Sequence, residues 1–300
     1  MSTPVTPGGA YGPAAPSRAA GDAGRPPSRA GRAYLVVGGV IVAVMVAMAL
    51  LSYVWTPFDP TRVVASDRLQ GPSAEHWLGT DKFGRDTFSQ VLVGARTTLY
   101  VGFVAVGVAA LLGVPLGILS AMGPRWLDGL IMRAADIGLA FPGLLLAIMF
   151  AAVFGASTTS AMVAIGLASV PSFARVTRAG ALGILPREFI TAARVAGRRP
   201  ASIGWRHVLP NVVGLVIVQA SVSFALAILA EAGLSFLGFG TPPPTPSWGR
   251  MLQESQSLLA SDPRLAIVPG VAIALAVLGF NLLGDGLRDR FDPQMQVVDQ

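Results

Sequence analysis

The chain has 300 residues, of which 53% are apolar and only 13% charged, about half the charged share of an ordinary soluble domain. A mean hydropathy of +0.62, with the apolar residues gathered in long blocks, excludes a disordered chain and argues against a soluble one. The formal charge is +6 and Lys82 is the only lysine; the arginines lie between apolar blocks, which points to a bilayer rather than to nucleic acid.

Residues 1–33 are rich in Pro, Gly, Ala and Ser and carry four Arg; they cannot bury enough apolar surface to fold and read as a disordered cytoplasmic tail. The apolar run from Tyr34 to Phe58 exceeds the about 7–15 residues of a signal-peptide core, so it reads as an uncleaved anchor with a first transmembrane helix over 34–56. An extracytoplasmic segment follows over 57–96, with five basic and five acidic residues. The second apolar run is Thr97 to Pro124, where Gly102, Gly107, Gly113 and Gly117 suit close helix packing. The uncharged run 137–174 is too long for one span of about 20 residues. It divides at the small polar cluster GASTTS, 155–160, into spans near 137–154 and 161–178, with Arg175 and Arg178 placed to snorkel at the end of the second. Val208 to Ala230 and Leu265 to Gly284 complete six.

None of these runs alternates as a barrel strand would, so the predicted fold class is an all-α integral membrane protein with six transmembrane helices. With the N-terminus inside, the inner segments hold 15 Lys/Arg and the outer ones seven, which places both termini in the cytoplasm. The predicted organisation is tail, first helix, extracytoplasmic segment, a core over 97–290 with five helices, and a short cytoplasmic tail over 291–300.

Covalent chemistry finds no home. Asp81 precedes the only Lys, so there is no Gly-Lys of a Walker A loop. HExxH and GxSxG are absent, as is an intramembrane carboxylate pair. With no Cys and only His76 and His207, no metal site, catalytic residue or disulfide is expected. The informative stretch is 186–210, PREFITAARVAGRRPASIGWRHVLP. Pro186 suits a first helical turn, Glu188 complements the dipole there, and Ala192 and Ala193 leave a small face. Gly197 can end the helix in the left-handed conformation, Pro200 opens a second short helix, and Pro210 starts the fifth span. The two readings are a basic loop that serves topology and a docking surface.

The segment resembles the EAA loop of ABC-importer permeases: Thr191, Ala192, Ala193, three residues, Gly197, then Val208-Leu209-Pro210, with Thr191 where the family commonly has Glu. HWLGTDKFGRDTFSQVLVGARTTL at 76–99, AFPGLLLAI at 140–148, EAGLSFLGFGTPPPTPSWGRML at 231–252 and NLLGDGLRDRFDP at 281–293 are similar to the C-type subunits of the dipeptide/oligopeptide/nickel permeases. The resemblance implies a type I importer permease of the bacterial inner membrane that does no covalent chemistry. It implies a B-type second permease, one or two ATPases holding ATP and magnesium, and an extracytoplasmic binding protein. Glu188, Thr191, Ala192, Ala193, Arg194, Gly197 and Arg198 are the expected ATPase-coupling residues; Arg187, Arg194, Arg198 and Arg199 fit acidic ATPase groups or lipid headgroups equally well. Glu231 and Asp136 are expected at a gate or subunit pairing, and Trp248 and Arg250 at a binding-protein contact, with interfacial anchoring the alternative for Trp248. Asp81, Arg85 and Asp86 read as internal pairs of a folded outer loop. The implied cargo is di- or oligopeptides; nickel or another small solute is the alternative. An ion-coupled secondary transporter would need mid-span coupling residues and an internal repeat.

Overall fold

A computed structural model describes residues 29–291 of the chain, so the expected tails at 1–28 and 292–300 lie outside the described residues, whereas 29–33 belong to the first helix. The helices are α1 (Arg29–Val54), α2 (Thr87–Met122), α3 (Arg125–Ala140), α4 (Gly143–Phe154), α5 (Thr158–Ile184), α6 (Glu188–Val195), α7 (Pro200–Ile203), α8 (Leu209–Phe236), α9 (Trp248–Ser255) and α10 (Arg264–Phe291). A π turn over Gly204–Val208 joins α7 to α8. Helices α1, α2, α5, α8 and α10 are long and apolar enough to cross a membrane, while α3 and α4 form a pair bent by 86°.

Helix α2, with 36 residues, is about 54 Å long and exceeds a hydrocarbon core of about 30 Å. It starts ten residues before the predicted span because Asp86 caps it: the carboxylate accepts from the Ser89 backbone N–H at 2.7 Å and from the Ser89 hydroxyl at 2.7 Å, satisfying a donor that a helix start otherwise leaves free. Helix α5 lies along it in the closest seam of the bundle. A Cβ at Gly113 would sit 2.5 Å from Phe173 Cβ, and one at Gly117 2.5 Å from the Ala174 carbonyl oxygen. Gly102 makes room for the Phe224 ring, but Gly107 faces open space, so three of the four expected glycines serve packing. Helices α1 and α10 pair in the same manner through Gly38, against the Gly279 carbonyl and the Leu283 N–H. Phe224 stacks on Phe280 at 4.1 Å between α8 and α10.

The third predicted span, 137–154, is not one helix. Phe141 and Pro142 are extended because a proline disfavours helical backbone at the residue before it. The 12 residues of α4 cover only about 18 Å, too little to cross alone. Residues 125–135, expected as a loop, form most of α3. Its charges clasp it to α5: Arg178 grips Asp128 in a fork (Nε to Oδ1 2.6 Å, Nη2 to Oδ2 2.7 Å), and Arg175 pairs with Asp136. Both pairs are partly exposed, so the coupling is modest. A double-mutant cycle on Asp128→Ala and Arg178→Ala is expected to give about 1 kcal/mol, at the upper end for such pairs because the geometry is bidentate. Thermal unfolding of the four forms checks it, and a coupling indistinguishable from zero rejects the clasp.

At the end of the bundle where α2 begins, residues 55–86 and 237–263 fold over one another. Arg85 bridges Asp81 (2.6 Å) and Glu254, and Arg250 holds the other oxygen of Glu254 at 2.8 Å. Arg264 donates to the carbonyls of Leu78 (2.8 Å) and Gln70 (3.0 Å). His76 Nδ1 lies 3.0 Å from Asp86. Asp81, Arg85 and Asp86 are thus internal struts, as the structural reading of the loop expects. On the rim, the backbone N–H and hydroxyl of Thr61 bond to Asp59 and hold its carboxyl below its ordinary value. The opposite end of α2 meets the segment 186–208, where Gly204 lies against Ile118 and Met122.

Candidate coupling surface and buried carboxylate

The 186–208 segment is an elbow with a buried hinge side and an exposed face. Ile190, Ile203 and Val208 are buried with Ala181, Ile184 and Val212, and Ala193 packs against them; Ile190 and Ala193 are three apart, so they share one face of α6. Gly197 ends α6 with φ +72°. Its N–H reaches the Arg194 carbonyl at 3.0 Å and the Arg198 N–H reaches that of Ala193 at 3.1 Å, the paired bonds of a glycine-terminated helix. A side chain at Gly197 would meet nothing within 4 Å, so the glycine is required by its backbone angle alone.

On the outward side stand Glu188, Thr191, Ala192, Arg194, Gly197 and Arg198, all exposed. The structure brings these expected coupling residues together and turns only Ala193 inward. Sequence reasoning missed the exposed apolar residues of the segment. Val195 is 85% exposed, and Phe189 and Trp205 are exposed as well. Part of their signal was present: with Ile190 and Ala193 on the buried side of an eight-residue helix, Val195 falls opposite them. Arg187, Arg194, Arg198, Arg199 and Arg206 form no ion pair among the described residues, and Glu188 is the only carboxylate in the segment. Two other arginines, Arg175 and Arg178, are engaged by α3. The elbow therefore exposes five arginines that pair with no carboxylate among the described residues, together with Phe189, Val195 and Trp205.

At the other end of α8, Glu231, expected at a gate or subunit pairing, is 1% exposed and bonded within the chain. Its carboxylate accepts from the Ser235 hydroxyl at 2.7 Å and lies 3.4 Å from the Thr241 hydroxyl. The Thr241 N–H donates to Ser235 Oγ at 3.0 Å. One side chain thereby ties the end of α8 to the proline-rich loop. Asp136 pairs within the chain, to Arg175. Trp248, expected at a binding-protein contact or as an interfacial anchor, is 2% exposed. The ring fills the space over Gly94, and its Nε1–H donates to the Val91 carbonyl at 3.1 Å. Arg250 is engaged by Glu254 and only partly exposed.

This arrangement is a helical bundle of membrane-spanning length with an exposed helical elbow at one end. The chain belongs to the family of binding-protein-dependent transport system inner membrane components, whose model matches residues 113–297. Among individual proteins, it is 44% identical over 261 residues to the dipeptide transport system permease protein DppC of Alkalihalophilus pseudofirmus, covering 87% of this chain and 86% of that one. It is 42% identical to the glutathione transport system permease protein GsiD of Pectobacterium atrosepticum, covering 87% of each. An inward-facing structure of the MetNI methionine ABC transporter has a chain of like fold, with a TM-score of 0.56, 19% identity, 65% of this chain and 93% of that chain covered.

Proposed function

We propose that the chain is a permease subunit of an ATP-driven importer for di- or oligopeptides, forming half of the translocation path. The observation that carries the reading is the elbow: a short exposed helix and turn carrying Phe189, Val195, Trp205 and five arginines that pair with no carboxylate among the described residues, anchored by buried Ile190 and Ile203. The names of the 42–44% identical relatives support a peptide as cargo. In this reading the elbow docks into one of one or two cytoplasmic ATPases, which hold the ATP and magnesium. A homologous B-type permease supplies the other half of the path, and an extracytoplasmic binding protein delivers the peptide. The termini and the elbow lie on the cytoplasmic side of a bacterial inner membrane. ATP binding then favours one arrangement of the permease pair, and the docked helix transmits it as a rigid-body shift.

Ala192→Trp tests this without disturbing the core, because Ala192 is exposed on the outward face of α6. The expected result is loss of the ATPase from mild-detergent pull-downs and a fall of at least about tenfold in peptide uptake, the effect of blocking an interface centre, with thermal stability unchanged. Full ATPase retention together with normal uptake overturns the reading.

A further inference from the structure

Arg175 of α5 and Asp136 of α3 are bonded to each other, yet their side chains are 49% and 58% exposed. Helix α5 runs from the cap, where the Thr158 hydroxyl reaches that of Thr241, to the elbow, where Ile184 is buried with Ile190 and Ile203. Its 27 residues measure about 40 Å, against a hydrocarbon core of about 30 Å. Arg175 lies about 26 Å from the cap end and about 14 Å from the elbow end. Wherever the core is set along α5, Arg175 therefore falls inside it by about 4 Å or more. Asp136 is held nearer the middle. Gly138, the next residue but one, lies against Pro171, the central residue of α5, and a Cβ there would be 2.8 Å from the proline ring. The guanidinium is drawn toward the middle of the bundle and does not snorkel to the elbow end.

A charge at that depth is costly and faces either the protein interior or a water-filled cavity; half exposure rules out the interior of this chain. The face of α5 around Arg175 is also unlike a lipid-facing one. Ser172, Arg175, Ala179 and Gly183 follow at helical spacing on one side; Ala179 is exposed, and a Cβ at Gly183 would meet nothing within 4 Å. The exposed residues near the middle of α1, by contrast, are Val36, Val40 and Val44. Arg133, one turn before Asp136 on α3, is exposed too and pairs with no carboxylate among the described residues. A small, polar face with charges of both signs suits a wall of water. A free peptide carries one charge of each sign at its ends. A carboxylate fits the forked N–H edge of a guanidinium, and an ammonium fits a carboxylate.

We propose that Asp136 and Arg175 line the translocation path and form a charged station in it, where a peptide in transit sets its terminal carboxylate against Arg175 and its terminal ammonium against Asp136. The inference rests on the importer reading above and adds the groups that meet the cargo inside the membrane.

The test uses the full chain with its accompanying subunits in membrane vesicles. The chain has no cysteine, so Ser172→Cys and Ala179→Cys each place a single thiol on this subunit. A charged methanethiosulfonate should label both at least about tenfold faster than Val40→Cys, because the reactive thiolate needs contact with water. Labelling no faster than at Val40→Cys sets the face against lipid or a second subunit and overturns the proposal. The second arm compares uptake of an acidic and a basic dipeptide. Arg175→Gln should lower the acidic-to-basic ratio about fourfold relative to the unaltered chain, the size of one charge contact at about 5 Å in water. Asp136→Asn should raise the ratio by as much. Both variants break the same ion pair and leave the Asp128–Arg178 clasp in place, so a purely structural role moves the ratio in neither, or in both alike; either result overturns the station. The binding protein is common to every arm and cancels from the ratios. If the thiols are labelled but the unaltered chain takes up no dipeptide, it is the importer reading for peptides that fails, and the peptide falls with it as the ligand.

Discussion

Gly117→Leu should leave little folded protein, and Gly107→Leu should leave nearly all of it. Both positions lie within α2, and their neighbours in sequence are equally apolar. What differs is the seam with α5. At Gly117 the first added carbon would lie 2.5 Å from the Ala174 carbonyl oxygen and 2.7 Å from Thr177 Cβ. The first of these is backbone, so no change of rotamer relieves it, and the helices must part. Parting them also strips contacts from Phe173, which is fully buried. Overpacking in cores costs about 1–3 kcal/mol and occasionally more; with a rigid obstacle the upper end applies. At Gly107 nothing lies within 4 Å, and the added leucine meets lipid or open space. Thermal unfolding and monodisperse yield in detergent compare the two directly, and equal losses would show that the seam is looser than described.

The second large effect is expected at Glu231, where the informative comparison is between two replacements of similar size. Glu231→Leu removes the acceptor shared by the hydroxyls of Ser235 and Thr241. Each buried hydroxyl whose proton loses its acceptor costs about 1–3 kcal/mol, so the sum amounts to several kcal/mol, and the loop 238–247 should come loose from α8. Glu231→Gln keeps an oxygen at the same place for the Ser235 hydroxyl and should cost less than about 1.5 kcal/mol. No arginine, lysine or histidine pairs with Glu231 among the described residues, so nothing in its surroundings demands a negative charge. Proteolysis of the 238–247 loop in membranes, followed alongside uptake, reads the outcome. If Gln is as damaging as Leu, charge matters and the latch is not the whole role.

The long spans were legible because the bilayer imposes a coarse rule, about 20 apolar residues per crossing, that needs no knowledge of neighbours. The break between α3 and α4 was hidden by the same rule: Phe141, Pro142 and Gly143 are uncharged and pass a hydropathy window, although Pro142 is a breaker on its face. Helix α3 was missed because its four charges, Arg125, Asp128, Arg133 and Asp136, look like a loop until two of them find Arg178 and Arg175 on α5. The elbow was read nearly residue by residue, since its signals (Glu188, Gly197, Pro200) act locally. The burial of Trp248 and Glu231 was not legible for the opposite reason. Trp248 packs onto Gly94 and Val91 from a distant part of the chain, Glu231 is covered by the loop that follows α8, and no local pattern announces either return.

The pairing of α1 with α10 has a consequence for how the protein is made. The surface of α1 around Gly38 is shaped for Gly279 and Leu283, which are synthesised last. At about 5–20 residues per second, some ten to forty seconds separate the emergence of Val54 from that of Arg264. Throughout that interval the first helix sits in the bilayer with only part of its packing partner set available, so completion of the bundle waits on the final segment, and chains cut short before α10 would present that bare glycine face to the quality-control proteases of the membrane.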